Sequence, residues 1–176
     1  MLTREQILNS LERLGELLQE NDLTGELLLT GGAAMSLVHN ARDMTQDVDA
    51  LFEPKTEIRA LASQVAYENG LPEDWLNDSV KGYITTGAPT KEFTVLHALT
   101  ISTVTPEYLL AMKLMSARHG TRDLEDIEFL LNKLNIQTLE DAMELLTAHF
   151  PSDRILPKSR YVLEEYFADC GGLGMT

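Results

Sequence analysis

The chain has 176 residues, 44% of them hydrophobic, and 28 acidic against 14 basic side chains give it a formal net charge of -14. That length fits one domain, or a domain with a helical appendage, able to bury an ordinary core. No apolar run approaches the roughly 20 residues of a membrane helix, the N-terminus has no basic-then-apolar signal pattern, and the single cysteine, Cys170, excludes an internal disulfide or a cysteine metal site, so a soluble cytoplasmic protein without a membrane partner is expected.

In chain order, Thr3 and Gln6 form a capping box, and Ile7, Leu8, Leu11, Leu14, Leu17 and Leu18 recur at helical spacing, which predicts an amphipathic helix over 4–20. "ELLLT", 26–30, is too short for a helix between Gly25 and Gly31-Gly32 and reads as a buried strand. "AAMSLVHN", 33–40, returns as a short helix. "DVDALFE", 47–53, alternates, with Val48, Ala50 and Phe52 on one face and Asp47, Asp49 and Leu51 on the other, and Pro54 ends it. A helix is predicted over 56–69 with Gly70 as its stop, then a short helical or irregular segment, "LPEDWLNDSV", with Trp75 as a core anchor. A strand pair fits 92–103. Helices follow over 106–119, 122–134, 138–149 and 158–169, the last after the breakers Pro151 and Pro157. The expected architecture is α/β (α+β): a small mixed sheet flanked by helices over 1–104, then a mostly helical part over 105–176 that completes a cleft.

The stretch "TGGAAMSLVHNARDMTQDVDALFE" concentrates the chemistry. On a strand, residues two apart share a face, so Asp47 and Asp49 present neighbouring carboxylates. Two such charges repel unless a cation sits between them, and hard oxygen ligands favour Mg²⁺ with a phosphate completing its coordination. Gly31 and Gly32 allow a sharp backbone turn with amides exposed for phosphate. Arg42 supplies a guanidinium fork for further phosphate oxygens, and Thr45 a hydroxyl beside the metal carboxylates. A nucleoside triphosphate (NTP) with Mg²⁺ satisfies every part.

Strand, GG, helix and R-x-x-T-x-D-x-D strand, in that order, resemble the polymerase-β-like nucleotidyltransferase superfamily. Within it, "GGAAMSLVHNARDMTQDVDALF" is similar to the AbiEii-like toxin nucleotidyltransferases of toxin-antitoxin systems. The resemblance implies a sheet of the nucleotidyltransferase type and Mg²⁺-dependent transfer of a nucleoside monophosphate, with pyrophosphate leaving. It favours RNA, particularly a tRNA end, or a protein side chain as acceptor, and an antitoxin as partner. A small-molecule acceptor is also open. For RNA a basic rim is needed, and Arg118, Arg122, Arg154, Lys158 and Arg160 are its candidates.

In "EYLLAMKLMSARHG", Lys113 falls inside the arc of Leu109, Leu110, Leu114 and Ala117. Either its stem packs while its head reaches water, or its ammonium is aimed at a triphosphate. On the next helix Leu124, Ile127, Leu130, Leu131 and Leu134 form the stripe; Asp123 projects toward it and Asp126 sits at its margin. Asp123 as N-cap and Asp126 as a first-turn dipole partner is the plainer reading. "AMKLMSARHGTRDLEDIEFLL" is similar to the second block of the same toxins, and there the resemblance implies nucleotide binding for Lys113 and catalysis for Asp123, with Arg122 and Asp126 beside them.

Two departures matter. "EFTVLHALTIST" has Glu92 at its edge and no aspartate where many of these enzymes carry a third carboxylate, and Ala33 follows the GG where several have serine. Either Asp123 takes the missing role, or the chain is a nucleotide- or partner-binding module of the same shape. A third reading makes the D-x-D a solvated strand face in a structural subunit. His39, His97 and His119 fit packing or capping, with His97 placed in a strand.

Overall fold

The computed structural model describes residues 1–82, 84–117 and 122–172, with side chains described through 168. Arg118 and His119, and the side chain of Cys170, lie outside the described residues. The fold is mixed α+β, and the chain divides into two compact units, Met1–Val104 and Thr105–Thr176.

The first unit opens with Leu2–Thr3 (β1) and Arg4–Glu20 (α1), where Thr3 and Gln6 form the capping box. Gly25–Leu29 (β2), Gly31–Leu37 (α2), Met44–Thr45 (β3), Val48–Glu53 (β4) and Lys55–Asn69 (α3) follow. Gly70, left-handed at φ 63°, ends α3. Then come Leu76–Asn77 (β5), a 3-10 turn at Ser79–Gly82, Thr90–Leu96 (β6) and Leu99–Val104 (β7). The main sheet runs β5-β4-β2-β7-β6, with β2 antiparallel to β4 but parallel to β7. Leu27, Leu29, Val48, Ala50, Phe52, Leu99 and Ile101 are buried, and α1 and α3 pack against each other and against strands of this sheet. Residues 28, 49, 51, 100 and 102, of opposite parity, keep partial exposure, and Glu26 is exposed.

Four features differ from the sequence expectation. "LPEDWLNDSV" contains a strand: β5 adds in parallel to β4, pairing Val48 with Leu76 and Asp49 with Asn77. A second small sheet joins β1 to β3, a ladder of two residues each and too short to show periodicity. Helix α2 starts at Gly31 rather than 33, so both glycines form its first turn. His97 is in no strand. It has a left-handed φ of 53° in the turn between β6 and β7, with its Nε2 3.9 and 3.8 Å from Glu12 and Glu16 carboxylate oxygens.

The second unit holds Pro106–Ser116 (α4), Asp123–Lys133 (α5), Leu139–His149 (α6) and Pro157–Gly172 (α7). Thr105 caps α4 and Thr138 caps α6, each hydroxyl accepting a backbone N–H. Inside, the Tyr108 ring stacks on Phe150 at 5.7 Å, and the buried Ser159 hydroxyl donates to the Leu114 carbonyl at 2.9 Å.

Candidate active site

The chain turns from β2 into α2 at Thr30, whose backbone N–H donates to the Asp49 carbonyl at 3.1 Å, extending the β2–β4 ladder by one rung. Gly31 follows with φ 56°, a conformation that L side chains rarely adopt. A Cβ built there would stand 2.9 Å from Asp49 Oδ2. One built on Gly32 would collide with Thr45 Oγ1 and lie 3.1 Å from Arg42 Nη1. The glycines therefore serve a close approach: the turn is pressed against Asp49 on one side and against Thr45 and Arg42 on the other. The loop carrying Arg42 and Thr45 is held from outside. Leu2 pairs with Thr45 and Thr3 with Met44, the Arg4 N–H donates to the Asp43 carbonyl, and the Arg4 guanidinium donates to Asn40 Oδ1 at 2.6 Å. Thr45 is buried, 4% exposed.

Asp47 immediately precedes β4 and Asp49 is its second residue; both are half-buried, alternating with the buried Val48 and Ala50. Asn77, the parallel partner of Asp49 in β5, donates from Nδ2 to Asp47 Oδ2 at 3.0 Å, which sets the Asp47 carboxylate on the face that Asp49 shares. Burial pushes the Asp47 carboxyl above its ordinary value, the Asn77 hydrogen bond pulls it back, and the charge of Asp74 raises it further. Two half-buried carboxylates beside a glycine turn fit a hard divalent cation that would take its remaining ligands from phosphate and water. An all-protein cage is not offered: among the described residues no group of three or more His, Cys, Asp or Glu is gathered to hold a metal.

In the helical unit, Lys113 is mostly buried, and its Nζ lies 2.8 Å from Asp123 Oδ1 and 2.8 Å from Asp126 Oδ2. Its head is held by two carboxylates, with 11% of the side chain exposed. Asp123 is the first residue of α5 rather than its N-cap, a position Arg122 takes, and Asp126 is 4% exposed rather than marginal. Leu109, Leu110, Leu114 and Ala117 are buried as the spacing predicts, with Ile127, Leu130 and Leu131.

Comparison with known families matches residues 6–167 to DUF6036, a family described as nucleotidyltransferase of unknown function. The chain belongs to this family. No curated protein matches it, and no solved structure does.

For a chain of this nucleotidyltransferase family, the position of Glu92 is informative. It pairs with Ser102, Ser102 with Leu28 and Leu28 with Leu51, so three strand spacings of about 4.8 Å, roughly 14 Å, separate β6 from the strand of Asp49. Glu92 cannot share a cation with the D-x-D. Sequence reasoning missed Asn77, which lies in "EDWLND", where only Trp75 had a role. Trp75 is fully buried and its Nε1–H donates to the Ala62 carbonyl at 3.0 Å. A polar residue two after an anchoring tryptophan was the available signal, but nothing in the sequence pairs that segment with β4.

Proposed function

We propose that this member of the family is a Mg²⁺-dependent nucleotidyltransferase that moves a nucleoside monophosphate from an NTP to an acceptor hydroxyl. The single observation that carries the reading is the Gly31–Gly32 turn with no room for a Cβ, closed on Asp49 at one residue and on Thr45 and Arg42 at the next. A structural strand end has no need of such contact, whereas a backbone that must approach phosphates does. Gly31, Gly32 and Arg42 bind the triphosphate, Thr45 fixes the turn, and Asp47 and Asp49 hold Mg²⁺. Bound there, Mg²⁺ supplies charge neutralisation to the phosphates. For Lys113 and Asp123 the second block of the resemblance implies phosphate-charge neutralisation and proton transfer, and within the helical unit the two are in contact, Nζ to Oδ1 at 2.8 Å.

The resemblance to AbiEii-like toxins extends the proposal to a toxin with an antitoxin partner, acting in the cytoplasm on a tRNA end or a protein. The basic rim favours protein. Among the described residues Lys158 donates to the Ala117 carbonyl at 3.3 Å and Arg160 is paired with Glu164 at 2.7 Å, so these candidates are engaged locally.

The test is incubation of the full chain with each radiolabelled NTP, Mg²⁺ and either total RNA or a cell lysate. Label retained on RNA or protein by the wild type and lost in Asp47→Ala supports transfer. Tight NTP binding without transfer supports the binding module, a reading favoured by the distance of Glu92 and by Ala33 after the glycines. Absence of NTP binding overturns both.

A further inference from the structure

We propose that the open sheet face beside Asp49 is an acceptor groove, and that it takes a basic, hydroxyl-bearing segment of a protein. For the position of the reacting hydroxyl this rests on nucleotidyl transfer at Asp49; the groove's binding preference does not depend on it.

A groove of about 330 Å³ lies on this face within the first unit. Its floor is the row Leu51, Leu28 and Ser102, side by side on β4, β2 and β7, and the next row outward is Glu53, Glu26 and Thr100. Leu51 follows Asp49 by two residues on the same face and Glu53 by four, so the groove begins one row from Asp49 and extends away from it to a pair of glutamates roughly 13 Å from Asp49 along the strand. Glu26 and Glu53 are directly opposite each other in the antiparallel β2–β4 pair, an arrangement of like charges that destabilises a sheet. Among the described residues Glu26 has no ion-pair partner. Glu53 has Lys55 at 3.6 Å, a pair with side chains 50% and 68% exposed and therefore weak.

Charge complementarity identifies the occupant. A cation is wanted at the glutamate end and a hydroxyl at the aspartate end, with apolar stem contacts on Leu28 and Leu51 between them. An extended peptide advances at the same rise per residue as the strand beneath it, so a serine, threonine or tyrosine with a lysine or arginine about four positions away spans the groove. RNA would bring phosphates onto Glu26 and Glu53 in a chain of net charge -14. Small-molecule sites enclose most of their ligand, and this face is open. In the transfer itself the acceptor oxygen attacks the α-phosphorus of the NTP. The new O–P bond forms as the bridging bond to the β-phosphate breaks, pyrophosphate leaves with that electron pair, and the hydroxyl proton passes to a carboxylate or to water.

Fluorescence anisotropy of the full chain tests binding without requiring turnover. The probes are a labelled peptide with one serine and a lysine four residues on, the same peptide with glutamate for lysine, and a single-stranded oligoribonucleotide of mixed sequence. The basic peptide should bind at least about tenfold tighter than either competitor, a margin of about 1.4 kcal/mol. The double variant Glu26→Gln, Glu53→Gln should erase the margin while melting at or above the wild-type temperature and leaving Mg²⁺–NTP binding unchanged. Equal binding of the two peptides, a preference for the oligoribonucleotide, or a margin that survives the double variant overturns the groove. Loss of label transfer in Asp49→Asn alongside any of those outcomes leaves nucleotidyl transfer standing and removes only the acceptor assignment.

Discussion

Gly31 is the residue where backbone and chemistry meet. Its φ of 56° is the left-handed region, and a methyl group there would crowd Asp49 Oδ2 at 2.9 Å. Gly31→Ala should therefore lose about 1–2 kcal/mol from the backbone conformation alone, read as a lower urea midpoint, and should weaken NTP binding more than the same substitution at Gly70, where a Cβ meets open space. The Asp47 carboxylate behaves in the opposite sense. Folding raises the Asp47 carboxyl through burial, so the folded chain holds that proton more tightly and is penalised once pH climbs through the raised value. Asp47→Asn removes the penalty: its melting temperature should exceed that of the wild type at pH 7, and the gap should close as pH falls below the ordinary value of 3.8. Asp49→Asn should likewise leave stability unchanged or raised while abolishing transfer. Unfolding of either variant at pH 7 would make the pair structural rather than functional.

At the scale of elements, the α4–α5 pair is joined through Lys113, which reaches Asp123 on the first turn of α5 and the buried Asp126 one turn later. A buried ion pair contributes little net stability against a well-packed apolar substitute, but removing one partner leaves a stranded charge. Lys113→Met should cost about 3–5 kcal/mol by chemical denaturation, and adding Asp126→Leu should recover most of it. A single variant as stable as the wild type would show that this ion cluster does not tie α4 to α5. The longer helices were legible because their stripes and starts are local: Thr3 with Gln6 at α1 and Pro106 at the start of α4 both act within one turn. The GG turn and the D-x-D were legible for the same reason, the alternation of Val48, Ala50 and Phe52 fixing which face the aspartates take. What escaped is non-local. Strands β1, β3 and β5 each have two residues, and only their partners, Met44–Thr45, Leu2–Thr3 and Val48–Asp49, make them strands. Asn77 reaches Asp47 across thirty positions, and that contact depends on the β4–β5 register rather than on any spacing in the chain.

Across the whole molecule the net charge of -14 acts on every anionic ligand. A polyanionic triphosphate approaching this surface is repelled over about a Debye length, so its capture depends on the local GG turn, Arg42 and a divalent cation at Asp47 and Asp49 outweighing the global field. Added monovalent salt screens that repulsion. NTP association measured by stopped flow at fixed Mg²⁺ should consequently speed up, or hold constant, between low and physiological ionic strength, the reverse of what a basic nucleic-acid binder shows. Binding to the folded chain alone also stabilises it: at a free Mg²⁺–NTP concentration of one hundred times Kd the gain is about 2.7 kcal/mol, visible as a raised melting temperature that EDTA or Asp49→Asn removes. Hydrogen exchange should place the new protection at Thr30 to Gly32 and at Asp47 to Asp49. A melting temperature that rises with NTP equally in the presence of EDTA would mean that the triphosphate is held by basic side chains alone, and the paired aspartates would lose their assigned role.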